Sequence, residues 1–530
     1  MTDIAEIFVG LLIAVAVLAL LARRLHIPYP ILFVLGGLLL GLIPKLPKVR
    51  LDPELVFLFF LPPLLFPAAL FTSWRDFRYN IRPISLLAIG LVLFTTVAVA
   101  WLAHYFMNLP LAAGVVLGAI VSPPDAIAAT AIADRLHIPR RIVTILEGES
   151  LVNDATALVA YRFAVAAVAT GSFSLARAGS EFVAAGLGGI LIGVAVGWLA
   201  AQFHKRVEDA PIEITVSLLT PFVAYLAAER IGTSGVLAVV TAGLYLGWRL
   251  PELLSFQTRL RGGPVWEMVE FLLNGFVFIL IGLQLPEVLD ALSSNAIPIR
   301  QLVWYALLIS LAVILIRILW VFPAAYLPRL LSQRLRQRDP YPSWQHVTIL
   351  AWTGMRGVVS LAAAMSLPLT TGSGSPFPGR DLILFLTFIV ILATLVVQGL
   401  SLPPLLRWLG VKDDGSMEKE ERAARLQANQ AALATLEAVP GADAAKAEAR
   451  QRLRIEYEDH IRQVEGADPQ SAGTPLRRFS TEYERLSLKA LNQERRTLIH
   501  LRNQNVISDE VLRRIQRDID LAEARLLSHG

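Results

Sequence analysis

The chain contains no cysteine, and charged side chains make up only 17% of its 530 residues. Without cysteine there is no disulfide and no thiolate metal site, and the redox compartment is unreadable. The shortage of charge excludes an ordinary soluble domain, where about a quarter of residues are charged. What charge there is falls unevenly. Residues 411–530 carry 20 Lys and Arg against 21 Asp and Glu, whereas the much longer stretch 1–410 carries 28 and 22. The basic excess therefore belongs to the charge-poor part, where it reports orientation in a membrane, and no nucleic-acid partner is expected. A secretory signal peptide is not expected either. Asp3 and Glu6 precede the first apolar run and Arg23-Arg24 follow it, the reverse of a signal peptide's flanks.

What fills the chain is apolar: 55% of residues are hydrophobic and the mean hydropathy is positive. A spanning helix needs about 20 mostly apolar residues. On that measure residues 1–410 hold thirteen candidate segments, among them a fifth near 110–134, a sixth near 142–170 and a twelfth near 345–369. The positive-inside rule tests the number. Loops after the odd-numbered segments carry 17 Lys and Arg, and those after the even-numbered ones carry 7. The expected fold class is thus an all-α polytopic membrane protein of about thirteen transmembrane helices in the cell membrane, N-terminus outside and C-terminus in the cytoplasm. The odd number suits two inverted repeats of six joined by one linking helix. Residues 411–530 form the second expected domain, a helical cytoplasmic tail. Thr481 with Glu484 suggests a capping box for a helix to about residue 504, and Ser508 the start of a last helix.

One stretch carries features that a lipid-embedded helix should avoid. The fifth segment is broken by Pro123 and Pro124 and carries Asp125; the sixth carries Glu149, Asn153 and Asp154. An acid at bilayer depth is costly and marks function. Ser150 and Asp154 are four apart and share one stripe, with Glu149 and Asn153 on the next. A monovalent cation wants several oxygen ligands, which carboxylate, hydroxyl and carbonyls freed by proline can supply. The twelfth segment is also interrupted, with Gly354 and Gly357 flanking Arg356. An arginine at that depth stays charged and needs a partner, and Glu149 is the candidate. That pairing leaves Asp154 to exchange one proton for one cation. Burial raises a carboxylate's pKa and a bound cation lowers it, so the two would compete for one group.

The run 148-GESLVND-154, the broken segment before it, the Arg356 segment and the thirteen-helix plan together resemble the sodium/proton exchangers of monovalent cation–proton antiporter family 1, bacterial type. The resemblance covers roughly residues 5–408. It implies a dimeric, electroneutral exchanger in which a core domain moves against a dimerisation domain. By position it implies Asp154 as the acid that binds Na+ or another monovalent cation, and Asn153 as its neighbour. It also implies Ser150 and the carbonyl of Pro124 as ligands, and Glu149–Arg356 as a structural ion pair. One departure stands out: many members have Asp-Pro in the broken helix, where this chain has Pro124-Asp125-Ala126. Asp125 keeps its spacing from Glu149.

Other embedded polar groups are read as structural. Arg317 is expected to pair with Glu267 or Glu270, Asn274 to brace its helix, and Arg162 to shape an outer exit. His26, His137 and His204 are expected as solvated loop histidines. The partners implied are a monovalent cation (Na+ foremost, with K+ and Li+ open), the proton, the lipid bilayer and a second copy of the chain. No cofactor is expected beyond the transported Na+ and H+, and no enzymatic activity. A cation channel and an intramembrane hydrolase using Asp125 and Asp154 are the rivals. The first needs a symmetric ring of ligands, and the second has no use for Arg356.

Overall fold

A segment buried in lipid has to satisfy its own backbone N–H and C=O groups, and the helix does this within one stretch of chain. The computed structural model describes residues 2–25, 27–43, 56–125, 138–170, 175–293, 297–371, 374–411, 415–438, 444–466, 475–504, 515–516, 518–523 and 526. Among the described residues every extended element is a helix, the one exception to helical pairing being an isolated bridge between Thr370 and Pro376. The chain divides into two compact units, Met1–Asp413 and Asp414–Gly530.

In the first unit, eight helices among the described residues are long and apolar enough to cross a membrane. They are α1 (Thr2–Leu25), α5 (Ile81–Met107), α7 (Arg140–Thr170), α8 (Leu175–His204), α9 (Ala210–Arg230), α11 (Phe256–Ser293), α12 (Ile299–Leu331) and α16 (Arg380–Leu409). Shorter apolar helices stand among them: α2 (Tyr29–Gly41), α3 (Leu61–Phe71), α6 (Leu111–Val121) and α10 (Gly235–Leu253). α4 (Trp74–Tyr79) and α13 (Gln333–Arg338) are brief connectors. Outward faces are apolar: α1 exposes Phe8, Ile13 and Val17, and α8 exposes Leu187, Leu191 and Leu199. Apolar surface on that scale suits lipid and not water. Inside, helices approach through glycine. Gly37 of α2 lies against the Ile279 carbonyl of α11, and Gly282 of α11 against the Val34 carbonyl of α2, so a methyl group at either would overlap backbone.

The fifth and twelfth segments are not continuous helices. α6 stops at Val121 and the chain runs on unwound through Asp125, while residues 126–137, which include the rest of the expected fifth segment, lie outside the described residues. Pro123 and Pro124 explain the break, since proline has no N–H to continue the ladder. The twelfth segment is two short helices, α14 (Trp344–Trp352) and α15 (Val358–Met365), joined by unwound residues 353–357. The breaks meet: the Asp125 N–H donates to the Met355 carbonyl at 2.7 Å. A π-helical turn in α16, Thr394–Gln398, brings the Thr394 hydroxyl to accept the Arg356 N–H at 3.1 Å.

The second unit contains α17 (Ser416–Glu437), α18 (Ala444–Gly466) and α19 (Pro475–Asn503). Pairs one turn apart, Glu421–Arg425 at 2.6 Å and Glu448–Arg452 at 2.8 Å, lie along their exposed faces. α19 begins at Pro475 and not at Thr481. Proline suits a first helical position, where its missing N–H would have had no partner, so the helix starts six residues earlier than the capping box suggests. The expected start at Ser508 lies outside the described residues.

Candidate functional site

At 3.6 residues per turn, Glu147, Ser150, Leu151 and Asp154 share one face of α7. That face lines a cavity of about 270 Å³. Pro123, Pro124 and Asp125 of the first break line it from one side, Gly357 and Ser360 of the second from another. α3 and Glu270 of α11 complete the wall. Asp154 is buried at 6% exposure, yet its face is open to this space. Its donor set is oxygen throughout: carboxylates, hydroxyls and backbone carbonyls. Such a set suits a hard cation and offers nothing to a soft one.

The next face of α7 is turned into protein. Asn153 is fully buried and its Nδ2 donates to the Pro124 carbonyl at 2.7 Å, while its Oδ1 has no hydrogen-bond partner. The structure thus ties Pro124 to α7, and the carbonyl oxygen has a second lone pair beyond the one that Asn153 engages.

Glu149 meets an arginine, but not Arg356. Its two oxygens accept from Arg317 Nη1 at 2.5 Å and Nη2 at 2.8 Å, with both side chains buried. The Arg317 Nε donates to the Leu350 carbonyl near the end of α14 at 3.1 Å. The expected pairing of Arg317 with Glu267 or Glu270 is corrected accordingly. Arg356, also fully buried, spends its guanidinium on backbone. Its Nε donates to the Val121 carbonyl at 3.0 Å, its Nη2 to Ser122 at 3.4 Å and its Nη1 to Gly354. The Glu149–Arg356 pair expected from sequence is therefore replaced for a physical reason. Helix ends leave carbonyls unsatisfied and negatively polarised, and Arg356 caps the broken end of α6. Arg317 presents its planar fork to both oxygens of Glu149. Gly354 sits between the two arginines, where a Cβ would meet Arg317 Cδ at 2.5 Å and Arg356 Nη1 at 2.9 Å.

Among the remaining readings, Arg162 holds Glu229 at 2.8 Å and so links α7 to the end of α9. Asn274 is buried, with its Oδ1 unpartnered. His26 and His137 lie outside the described residues. His204 is no solvated loop residue: it is 2% exposed, in the last turn of α8. Sequence reasoning missed Ser360 and Glu147 on the cavity wall. Glu147 had a signal, because it lies seven residues before Asp154 on the same stripe. Ser360 had none, since nothing in its local sequence says that α15 faces α7.

The sodium/hydrogen exchanger transmembrane family model matches residues 10–408. The chain is 39% identical over 526 residues to an uncharacterized Na+/H+ exchanger of Mycobacterium tuberculosis, covering 98% of this chain and 96% of the relative. It is 38% identical to a sodium, potassium, lithium and rubidium/H+ antiporter of Bacillus subtilis, over 76% of this chain and 61% of that protein. In structure it is similar to the sodium proton antiporter MjNhaP1 of Methanocaldococcus jannaschii. The TM-score is 0.60 at 20% identity, over 77% of this chain and 99% of that one, a likeness of fold. With a family model spanning most of its length and a full-length relative at that identity, the chain belongs to the sodium/hydrogen exchangers, a family of multi-pass membrane transporters.

Proposed function

We propose that the chain exchanges one Na+ for one H+ across the cell membrane, with cation and proton competing for Asp154. The observation that carries this is the placement of Asp154 and Ser150 on one cavity wall against the unwound Pro124–Asp125 stretch. One shared carboxylate supports the one-for-one ratio. Glu149 is held by Arg317, while Asp154 on the cavity wall takes either one proton or one monovalent cation, each of charge +1. A full cycle then moves no net charge.

Ser150 and the Pro124 carbonyl serve as neutral ligands beside Asp154; Asn153 ties the first break to α7, and Asp125 on the cavity wall joins it to Met355 of the second. Arg317 holds Glu149, and the Arg356 cap on α6 completes the frame. Access alternates between the two sides as the helices carrying the breaks move against a dimerisation domain, in a homodimer of thirteen-helix protomers, N-terminus outside and tail in the cytoplasm. The all-oxygen donor set extends the accepted cations to K+ and Li+, in line with the breadth in the name of the Bacillus subtilis relative.

The test is collapse of an imposed pH gradient in vesicles on addition of Na+, K+ or Li+, for wild type and Asp154→Asn, with valinomycin and K+ clamping the voltage in a separate Na+ run. The expected result is a response in wild type, unchanged by the clamp and absent from the variant. Exchange retained by Asp154→Asn would overturn the assignment.

A further inference from the structure

A second cavity, of about 240 Å³, lies where the ends of α8, α9, α10 and α11 come together with the end of α3. His204, in the last turn of α8, and Glu213, in the first turn of α9, both line it. They are nine residues apart, brought together by the short turn that joins their helices, and each lies within range of the other's charge. Both are almost completely buried, at 2% and 1% exposure. Neither ring nitrogen of His204 and neither carboxylate oxygen of Glu213 has a hydrogen-bond partner. A buried carboxylate without a donor is among the costliest arrangements a fold can hold, and a free imidazole beside it offers no relief in this geometry. The space is held open as well: Gly262 and Gly263 of α11 line it, and a Cβ on either would meet nothing within 4 Å.

We propose that this chamber binds a divalent transition-metal cation of the Zn2+ class through the His204 imidazole and the Glu213 carboxylate. The donor types select the class. Alkali cations and Mg2+ take oxygen ligands, whereas a nitrogen and an oxygen together suit Zn2+, Co2+ and Ni2+. The Asp154 cavity offers oxygen alone, so the two sites differ in the ion they accept. Both ligands stand on helices, which hold their backbones; the two side chains make no hydrogen bond to each other, and the ion draws them together across the chamber. The polar neighbours are already committed: the Ser217 hydroxyl accepts from Trp266 Nε1 at 3.0 Å, Thr258 bonds Ser255 at 3.0 Å, and Arg259 Nη1 donates to the Leu254 carbonyl. Among the described residues no three His, Asp or Glu side chains converge on one point. The protein therefore supplies two ligands and water the rest, which makes an exchangeable site and not a closed structural one.

The experiment uses purified full-length protein, affinity tag removed and metal stripped with chelator. Co2+ is titrated with visible absorption as readout, and Zn2+ with the thermal unfolding midpoint. Wild type is expected to respond saturably to both, while Mg2+ and Na+ at the same concentrations leave the His204–Glu213 signal flat. In His204→Gln and in Glu213→Gln half-saturation should move up by about tenfold or more. Neither residue lines the Asp154 cavity, so cation-dependent proton exchange serves as the folding control. X-ray absorption of Zn2+-loaded wild type, which needs no variant, should read one imidazole among oxygen donors. Equal half-saturation in wild type and both variants, or a zinc shell without imidazole, would overturn the proposal.

Discussion

Arg317 closes on Glu149 with both terminal nitrogens, at 2.5 and 2.8 Å, and neither residue is more than 1% exposed. The same guanidinium reaches the Leu350 carbonyl near the end of α14, so one side chain fastens α12 to α7 and to the first half of the broken twelfth segment. Removing one partner of a buried pair strands the other charge, which costs about 3–5 kcal/mol. Arg317→Ala and Glu149→Ala are each expected to lower the unfolding midpoint of the purified protein sharply. The double variant should be less destabilised than the two singles added together. Additive losses would mean that the two side chains act independently.

Arg356 is expected to behave differently from Arg317. Its partners are the Val121, Ser122 and Gly354 carbonyls, so Arg356→Ala uncaps the broken end of α6 and leaves Glu149 paired. Combined with Glu149→Ala, its coupling on the unfolding midpoint should therefore be much weaker than that of Arg317 with Glu149, since Arg356 and Glu149 share only a through-space charge interaction. Strong coupling in that cycle would restore the direct pairing that the sequence suggested.

This contrast marks how far the sequence could be read. Acids spaced at helical intervals in an apolar run disclose which residues of α7 share a face, because periodicity is local. The choice between Arg317 and Arg356 for Glu149 is not local. It depends on where α12 packs, and on carbonyls freed by a break, which no residue letter records. His204 misled for a similar reason. Lys205 and Arg206 beside it suggest a solvated helix end, whereas its burial comes from the packing of α9, α10 and α11 around it. Pro123-Pro124 and Gly354-Gly357 did reveal the two breaks, since these residues act on the backbone directly.

Gly357 gives a steric prediction. A Cβ built there would overlap the Asp125 carboxylate, Oδ2 first, so the two breaks cross only because residue 357 has no side chain. Gly357→Ala should push Asp125 off its position on the cavity wall. The expected outcome is a large loss of exchange rate in vesicles with near-normal expression, as the contact involves a side chain and not backbone. Exchange at the wild-type rate would show that Asp125 can shift without consequence for transport.

Ser360 tests the makeup of the cation's shell. It stands in the first turn of α15 at 1% exposure, lines the same cavity as Asp154, and its Oγ has no hydrogen-bond partner. A buried hydroxyl without a partner calls for an explanation, and beside the proposed cation site the ion, or a water bound to it, supplies one. Ser360→Ala removes one neutral oxygen and leaves Asp154, the carboxylate proposed to take the proton. The cation concentration for half-maximal exchange should therefore rise by about tenfold, the scale of one polar contact to a charged group. The maximal rate at saturating cation should be little changed. Ser360→Thr, which keeps the oxygen, should recover most of the affinity. If wild type exchanges and Ser360→Ala shows the same half-maximal concentration, the hydroxyl faces the cavity without touching the ion or its water. If both variants weaken binding alike, what matters at residue 360 is the room it leaves and not the oxygen it offers.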